Sequence, residues 1–307
     1  MRRLALLGFL LFSRGLHPAP VQAADLYAPV RFLTSGNVDL WPCFSADGGQ
    51  VLFTRGDALD ATFWLVPVAG GQPRSLNSSP IPVAATRANW SRLKNRIAFT
   101  GLANGHGQVW LIEADGSNAR RVTAAGLSND VFYPSWYPDA DMVAVMDAQD
   151  FVIKRIDLTR GSAVAVTRRE QVMTGMPSVS PDGKSIAFAG QENRGQPYDQ
   201  TKNSIWLVDA TGVARPLESA PAQGRAPAWS PDGQRLAFES NRASLSGSYA
   251  IFLINRDGTG LVQVTDPSLN ADHPVWSPDG RRLAFSGRPF SLQKGRGIAI
   301  IDLPSAR

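Results

Sequence analysis

Apolar residues in this chain come in short runs, with no long amphipathic stretch between them. Six trios stand out: Val51-Leu52-Phe53, Ile97-Ala98-Phe99, Val143-Ala144-Val145, Ile186-Ala187-Phe188, Leu236-Ala237-Phe238 and Leu283-Ala284-Phe285. Runs this short, rich in β-branched and aromatic residues and bounded by Gly, Pro and Asp, read as strands buried on both faces. Each trio follows a second strand-sized piece. These pieces begin at Pro42, Ala88, Pro134, Pro177, Pro227 and Pro274, spaced 46, 46, 43, 50 and 47 residues apart. A third apolar run follows each trio: Phe63 to Val66, Val109 to Ile112, Ile153 to Ile156, Ile205 to Val208, Ile251 to Ile254 and Ile298 to Ile301. A fourth, ending in Thr, follows in turn, as in Arg121-Val122-Thr123 and Val262 to Thr265.

Four strands recurring at this period are the signature of a β-propeller blade. The pattern therefore predicts an all-β fold, a six-bladed β-propeller of four-stranded antiparallel blades. The sixth repeat has no fourth strand, whereas Arg31-Phe32-Leu33-Thr34 reads like a spare one. This N-terminal segment is expected to complete the last blade, with Phe32 beside the strand near Ile300. Such closure protects sheet edges that would otherwise pair with other chains.

Ser-Pro-Asp-Gly at 180–183, 230–233 and 277–280 joins the first strand of a repeat to the second. Proline fixes φ, aspartate bonds to nearby backbone, and glycine accepts positive φ. Turn chemistry thus accounts for Asp47, Asp139, Asp182, Asp232 and Asp279 without a catalytic role. Trp90, Trp136, Trp229 and Trp276 form one column on the first strands, and Trp64, Trp110 and Trp206 another on the third. Both columns are expected to pack between blades. Cys43, on a first strand, reads as a small buried hydrophobe. Lys154 and Arg155 replace apolar residues of the third run and predict a locally solvated sheet face.

The repeat Pro-x-Trp-Ser-Pro-Asp-Gly-x-x-Leu-Ala-Phe, intact at 227 and 274, resembles that of the TolB-like WD-repeat propellers over roughly residues 30 to 303. The resemblance implies a protein of the bacterial cell envelope, beside the Tol–Pal system. Related repeats also build propellers of prolyl-oligopeptidase-like proteases and of some polysaccharide lyases. The N-terminal α/β domain of the TolB pattern is expected to be absent here.

At the N-terminus, Arg2 and Arg3 precede an apolar run from Leu4 to Phe12, and Val21-Gln22-Ala23 is a small-residue cleavage motif. Residues 1–23 are read as a signal peptide and 24–307 as the propeller, periplasmic or secreted. No other stretch is long and apolar enough for membrane insertion. Composition then changes little. Of 31 basic residues the signal peptide carries Arg2, Arg3 and Arg14, leaving 28 against 26 acidic. A near-neutral exported chain without clustered Lys and Arg is not expected to bind nucleic acid. One cysteine and three histidines exclude disulfide frameworks and His-rich metal clusters.

No Gly-x-Ser-x-Gly elbow is present, and no hydrolase domain is expected after the last repeat. Propellers bind at one end of the central channel, through loops leading into the innermost strands. The repeat places Asp39, Trp41, Arg87, Asp130, Tyr133, Met176, Arg225, Asp272 and His273 there, just before the first strands. Aromatics, both charge signs and one imidazole suit a peptide, a protein loop or a glycan. The expected function is a monomeric, non-catalytic module with no cofactor, binding an envelope protein or lipoprotein at the channel mouth. The rival is a propeller glycan lyase or hydrolase using His273, Tyr133 and nearby carboxylates, with calcium in the channel. The insertion Gln191 to Asn203 reads as a hairpin tip.

Overall fold

The computed structural model describes residues 27–35, 38–56, 60–76, 84–218, 222–289 and 295–303. The expected signal peptide lies outside the described residues. The rest forms six four-stranded antiparallel sheets. From the innermost strand outward, blade 1 is Asp39–Phe44, Gln50–Arg55, Thr62–Pro67 and Arg74–Ser75. Blades 2 to 5 repeat this order from innermost strands Ala84–Trp90, Val131–Trp136, Val172–Val179 and Arg225–Trp229. Blade 6 is Asp272–Trp276, Arg282–Gly287 and Gly297–Asp302, completed by Val30–Phe32 from the N-terminus. Each innermost strand packs against that of the next blade, and the sixth against the first, so the ring is closed.

Closure follows the expected register: Arg31 lies opposite Ile300 and Phe32 opposite Ala299. Thr34 extends it, its Oγ1 accepting the Ile298 N–H at 2.9 Å. The outermost strands are shorter than the sequence pattern implies, only Arg120–Arg121 and Val262–Gln263 in blades 2 and 5. At the rim one face is solvated, and few side chains remain to reward pairing.

The core lies between blades. Successive strand residues point to opposite faces, so Leu236 and Phe238 pack toward blade 4 while Ala237 packs toward blade 6. The alanine of each trio makes room for the large side chain of the next blade. Ala98 shares a cluster with Trp136, Ala187 with Trp229, and Ala237 with Trp276. Each of these tryptophans donates its Nε1 across the blade gap: to Asn89 O (2.9 Å), Ser178 O (3.1 Å) and Ala228 O (3.0 Å). Blade 1 has Leu52 instead. Trp90, packed on the same cluster, is only partly buried, and its Nε1 has no partner. Cys43 is buried, its thiol pushed up to about 11 by burial.

Lys154 corrects an expectation. Its side chain is 13% exposed, with Nζ 2.8 Å from the buried Asp147 and 2.7 Å from Gly126 O. The Lys154 charge is neutralised in place, so only Arg155, which is exposed, presents a solvated face.

The turn aspartates hold the turns. Asp182 Oδ1 accepts from the Ser180 hydroxyl at 2.5 Å and the Lys184 N–H at 3.0 Å. Asp47 and Asp279 make the same pair of bonds. The serine hydroxyl, then the backbone N–H, hold the Asp182 carboxyl down at about 2, against an ordinary 3.8. A carboxyl depressed in the folded state stabilises it fully above its unfolded value and loses that contribution as pH falls through the folded one. Thermal midpoints are therefore expected to be level above about pH 5 and to fall between about pH 4 and 2. In calorimetry across that window Asp182→Asn should flatten the fall; an unchanged slope would remove the turn from the account.

Candidate functional site at the channel mouth

Every innermost strand breaks register at the same place. The shifts fall between Leu40 and Cys43, Thr86 and Asn89, Phe132 and Ser135, Gly175 and Ser178, Arg225 and Ala228, and Asp272 and Val275. Within each bulge one residue is left-handed: Trp41, Arg87, Tyr133, Met176, Ala226 and His273, with φ between 47° and 57°. Five precede proline (Pro42, Pro134, Pro177, Pro227 and Pro274). Proline cannot donate to a ladder and is tolerated in a sheet at a bulge. It also bars the residue before it from the right-handed helical region. A left-handed non-glycine residue costs about 1–3 kcal/mol, and here six stand in a ring. Together they line a cavity of about 130 Å³ at one end of the channel.

The bulge leaves backbone N–H groups without ladder partners, and the preceding blade supplies some. Trp41 N donates to Ser286 Oγ (3.1 Å), Tyr133 N to Thr100 Oγ1 (3.1 Å) and His273 N to Glu239 Oε2 (2.7 Å). These acceptors stand opposite the first bulge residue on the second strand of their blades.

Four of the six side chains form a continuous row. The Arg87 guanidinium carbon lies 4.5 Å from the ring centres of both Trp41 and Tyr133. The Trp41 ring meets His273 edge-on at 6.1 Å. Behind His273 sits an ionic network. Glu239, fully buried, is paired with Arg225 at 2.7 Å. Asp272 is paired with Arg296 at 2.6 Å. His273 Nδ1 lies 3.3 Å from Asp272 and 3.6 Å from Glu239. Burial alone would raise the Asp272 carboxyl; His273, Arg296 and Arg225 outweigh it and hold the group below its ordinary value. Likewise burial would lower Arg225, but Glu239 prevails and the guanidinium is held above its ordinary value.

The expected site residues therefore divide. Trp41, Arg87, Tyr133, Met176 and His273 do converge on the mouth, inside the first strands rather than before them. Asp39 is instead buried in a bidentate pair with Arg55, at 2.7 and 2.9 Å. Arg225 and Asp272 stand one position earlier in the bulge and supply the network behind the lining. Asp130 accepts the Gly107 N–H at 2.9 Å and pins the neighbouring hairpin. Sequence reasoning missed Ala226, although the repeated Xaa-Pro dipeptide marks it. It also missed Glu239, a carboxylate where the other blades have Thr54, Thr100, Met146, Ala189 and Ser286. The insertion is tied down at Tyr198, which packs 4.9 Å from Phe151 and accepts from Asn203 Nδ2 at 2.8 Å.

Glu239, Asp272 and His273 each offer a ligand atom within 4.8 Å of the others. Three ligands would suit a catalytic metal. Arg225 takes Glu239 Oε1 and Arg296 takes Asp272 Oδ2, whereas Asp272 Oδ1 and both ring nitrogens of His273 are buried without a hydrogen-bond partner. The opposite end of the channel holds a cavity of about 290 Å³ ringed by Trp90, Trp136, Trp229 and Trp276, with Arg92 at its edge.

Comparison with known proteins gives a matching family model, the TolB beta propeller domain, over residues 34–215, more than half of the chain. Over 137 residues the chain is 29% identical to an uncharacterised protein of Agrobacterium fabrum, covering 42% of this chain and 41% of that protein. The chain thus spans less than half the length of that curated relative. Among solved structures, a putative TolB from Agrobacterium tumefaciens superposes with a TM-score of 0.66 at 19% identity, over 90% of this chain and 97% of that one. An oligogalacturonate lyase from Vibrio parahaemolyticus gives 0.55 at 14% identity, over 91% and 94%. At such identities the likeness is one of fold. Among the described residues no helix is long and apolar enough to cross a membrane.

Proposed function

The chain belongs to the TolB beta propeller domain family, and on that premise we propose that it is an exported, non-catalytic module that binds an envelope protein or lipoprotein at the channel mouth. The observation that supports this reading is the ring of six left-handed bulge residues. A scaffold needs no such strain; a recognition surface gains from it, because strained backbone aims one side chain per blade at a common point. Trp41, Tyr133 and Arg87 are also the residue types that anchor protein interfaces. The periplasm or the outside of the cell is the expected compartment.

Immobilised protein challenged with envelope extract is expected to retain one dominant protein, and the double variant Trp41→Ala/Tyr133→Ala to lose it by about tenfold or more. Equal capture by both forms would remove the mouth as the site.

A second reading is favoured by the His273–Asp272–Glu239 cluster beside Trp41 and by the likeness to a lyase fold. A lyase would need an acid or base within reach of substrate, and His273 Nε2, unpartnered, is the candidate. It would turn over oligogalacturonate with rising ultraviolet absorbance from the unsaturated product. The first reading expects none.

A further inference from the structure

We propose that the mouth recognises a carboxylate of its peptide partner, and that Arg87 is the group that takes it. This rests on the reading of the mouth as a protein-binding site. The cavity lining holds one permanent cation, Arg87, and one imidazole, and it holds no Asp or Glu. Among the described residues the other arginines close to the mouth are spent: Arg225 on Glu239, Arg296 on Asp272, Arg55 on Asp39. Arg87 pairs with no carboxylate among the described residues, and its Nε is buried without a hydrogen-bond partner.

The Trp41 and Tyr133 rings both lie against the guanidinium, their centres 4.5 Å from its central carbon. Its edge, where the N–H donors lie in plane, is what it offers a ligand. A planar fork of N–H donors matches a carboxylate bidentately. The stack also fixes the long side chain in advance, so little rotamer freedom remains to be lost on binding. Prolines beside the bulges and the two aromatic rings give this cation apolar surroundings, where a charge-assisted bond is stronger than in water. An extended chain entering with an acidic side chain or a free C-terminus would meet that edge first.

The test uses short N-acetylated peptides of randomised sequence in three pools: a central Glu with an amidated end, a central Gln with a free carboxyl end, and a central Gln with an amidated end. Retention on immobilised protein is compared with that of oligogalacturonate. At least one acid-bearing pool is expected to exceed the neutral pool by about tenfold or more. Which pool leads separates side-chain from C-terminal recognition. Arg87→Gln should abolish the preference, and Arg87→Lys should restore only part of it, since charge returns without the fork. Circular dichroism melts of both variants guard against misfolding, and Lys serves as the second variant if Gln does not fold. Equal retention of all three pools, unchanged by Arg87→Gln, would overturn the carboxylate inference while leaving peptide binding intact. Retention of oligogalacturonate with no peptide bound would overturn both.

Discussion

Removing residues 24–35 is expected to weaken the cooperative folding of the ring severely. The loss goes far beyond three short ladder pairings. Val30 and Phe32 pack against the cluster between blades 5 and 6, and Leu33 is buried between blades 6 and 1. Without them the Gly297–Asp302 strand becomes an open, apolar edge, Ile298, Ala299, Ile300 and Ile301 in succession. Such an edge is a template for pairing with another molecule. Size-exclusion chromatography should show association, and thermal unfolding should broaden and shift down. Gly297→Ala probes the same contact with one methyl. A Cβ there would lie 2.2 Å from the Thr34 carbonyl oxygen, a backbone atom of the closing strand. Both partners are held by the ladder, so neither can yield cheaply. A truncated chain that stays monomeric and melts at the full-length temperature would show that closure does not depend on the N-terminal strand.

Glu239→Ala is expected to be among the most damaging single substitutions, by about 3–5 kcal/mol. Glu239 is fully buried and has two obligations. It neutralises Arg225, whose side chain is only 17% exposed, and it accepts the N–H freed by the bulge at His273. Alanine would leave a largely buried cation uncompensated and a backbone donor without a partner, which is costlier than the lost attraction. In a chain of this size the midpoint should fall by about 10 °C. Glu239→Gln keeps oxygen acceptors and shape, and should cost clearly less. Urea titrations of the two variants measure the difference. If alanine and glutamine cost the same, the charge on Arg225 is satisfied elsewhere and the network has been misread. Because the same carboxylate fixes the His273 backbone, the alanine variant should also weaken binding at the mouth.

Much of this was legible in the sequence because the fold is made of repeats. A trio such as Leu236-Ala237-Phe238 reports strand, depth and both faces at once, since successive residues face opposite neighbouring blades. The intact turns at 230–233 and 277–280 fixed where strands begin. The site was legible only in part. Trp41, Arg87, Tyr133, Met176 and His273 could be placed by the repeat, but Asp39 and Arg225 were grouped with them although they serve other bonds. A sequence frame counts residues along a strand, and a bulge inserts one that the partner strand does not count. The error is thus a single step of register, enough to exchange Ala226 with Arg225 in the lining. Lys154 shows the same limit, because its neutralising partner Asp147 faces it across a strand pair.

The order of apolar and turn residues by itself determined six blades, their strands and the spare strand that closes them, because alternation and turn chemistry act between near neighbours. Only the tertiary structure decided which charges are spent and which are free. It tied Arg225 to Glu239 and Arg55 to Asp39, and it left Arg87 against two rings with no carboxylate partner among the described residues. Pairing energies depend on distance and burial, and those are set by strands paired within a blade and, around Arg87, by neighbouring blades packed side by side.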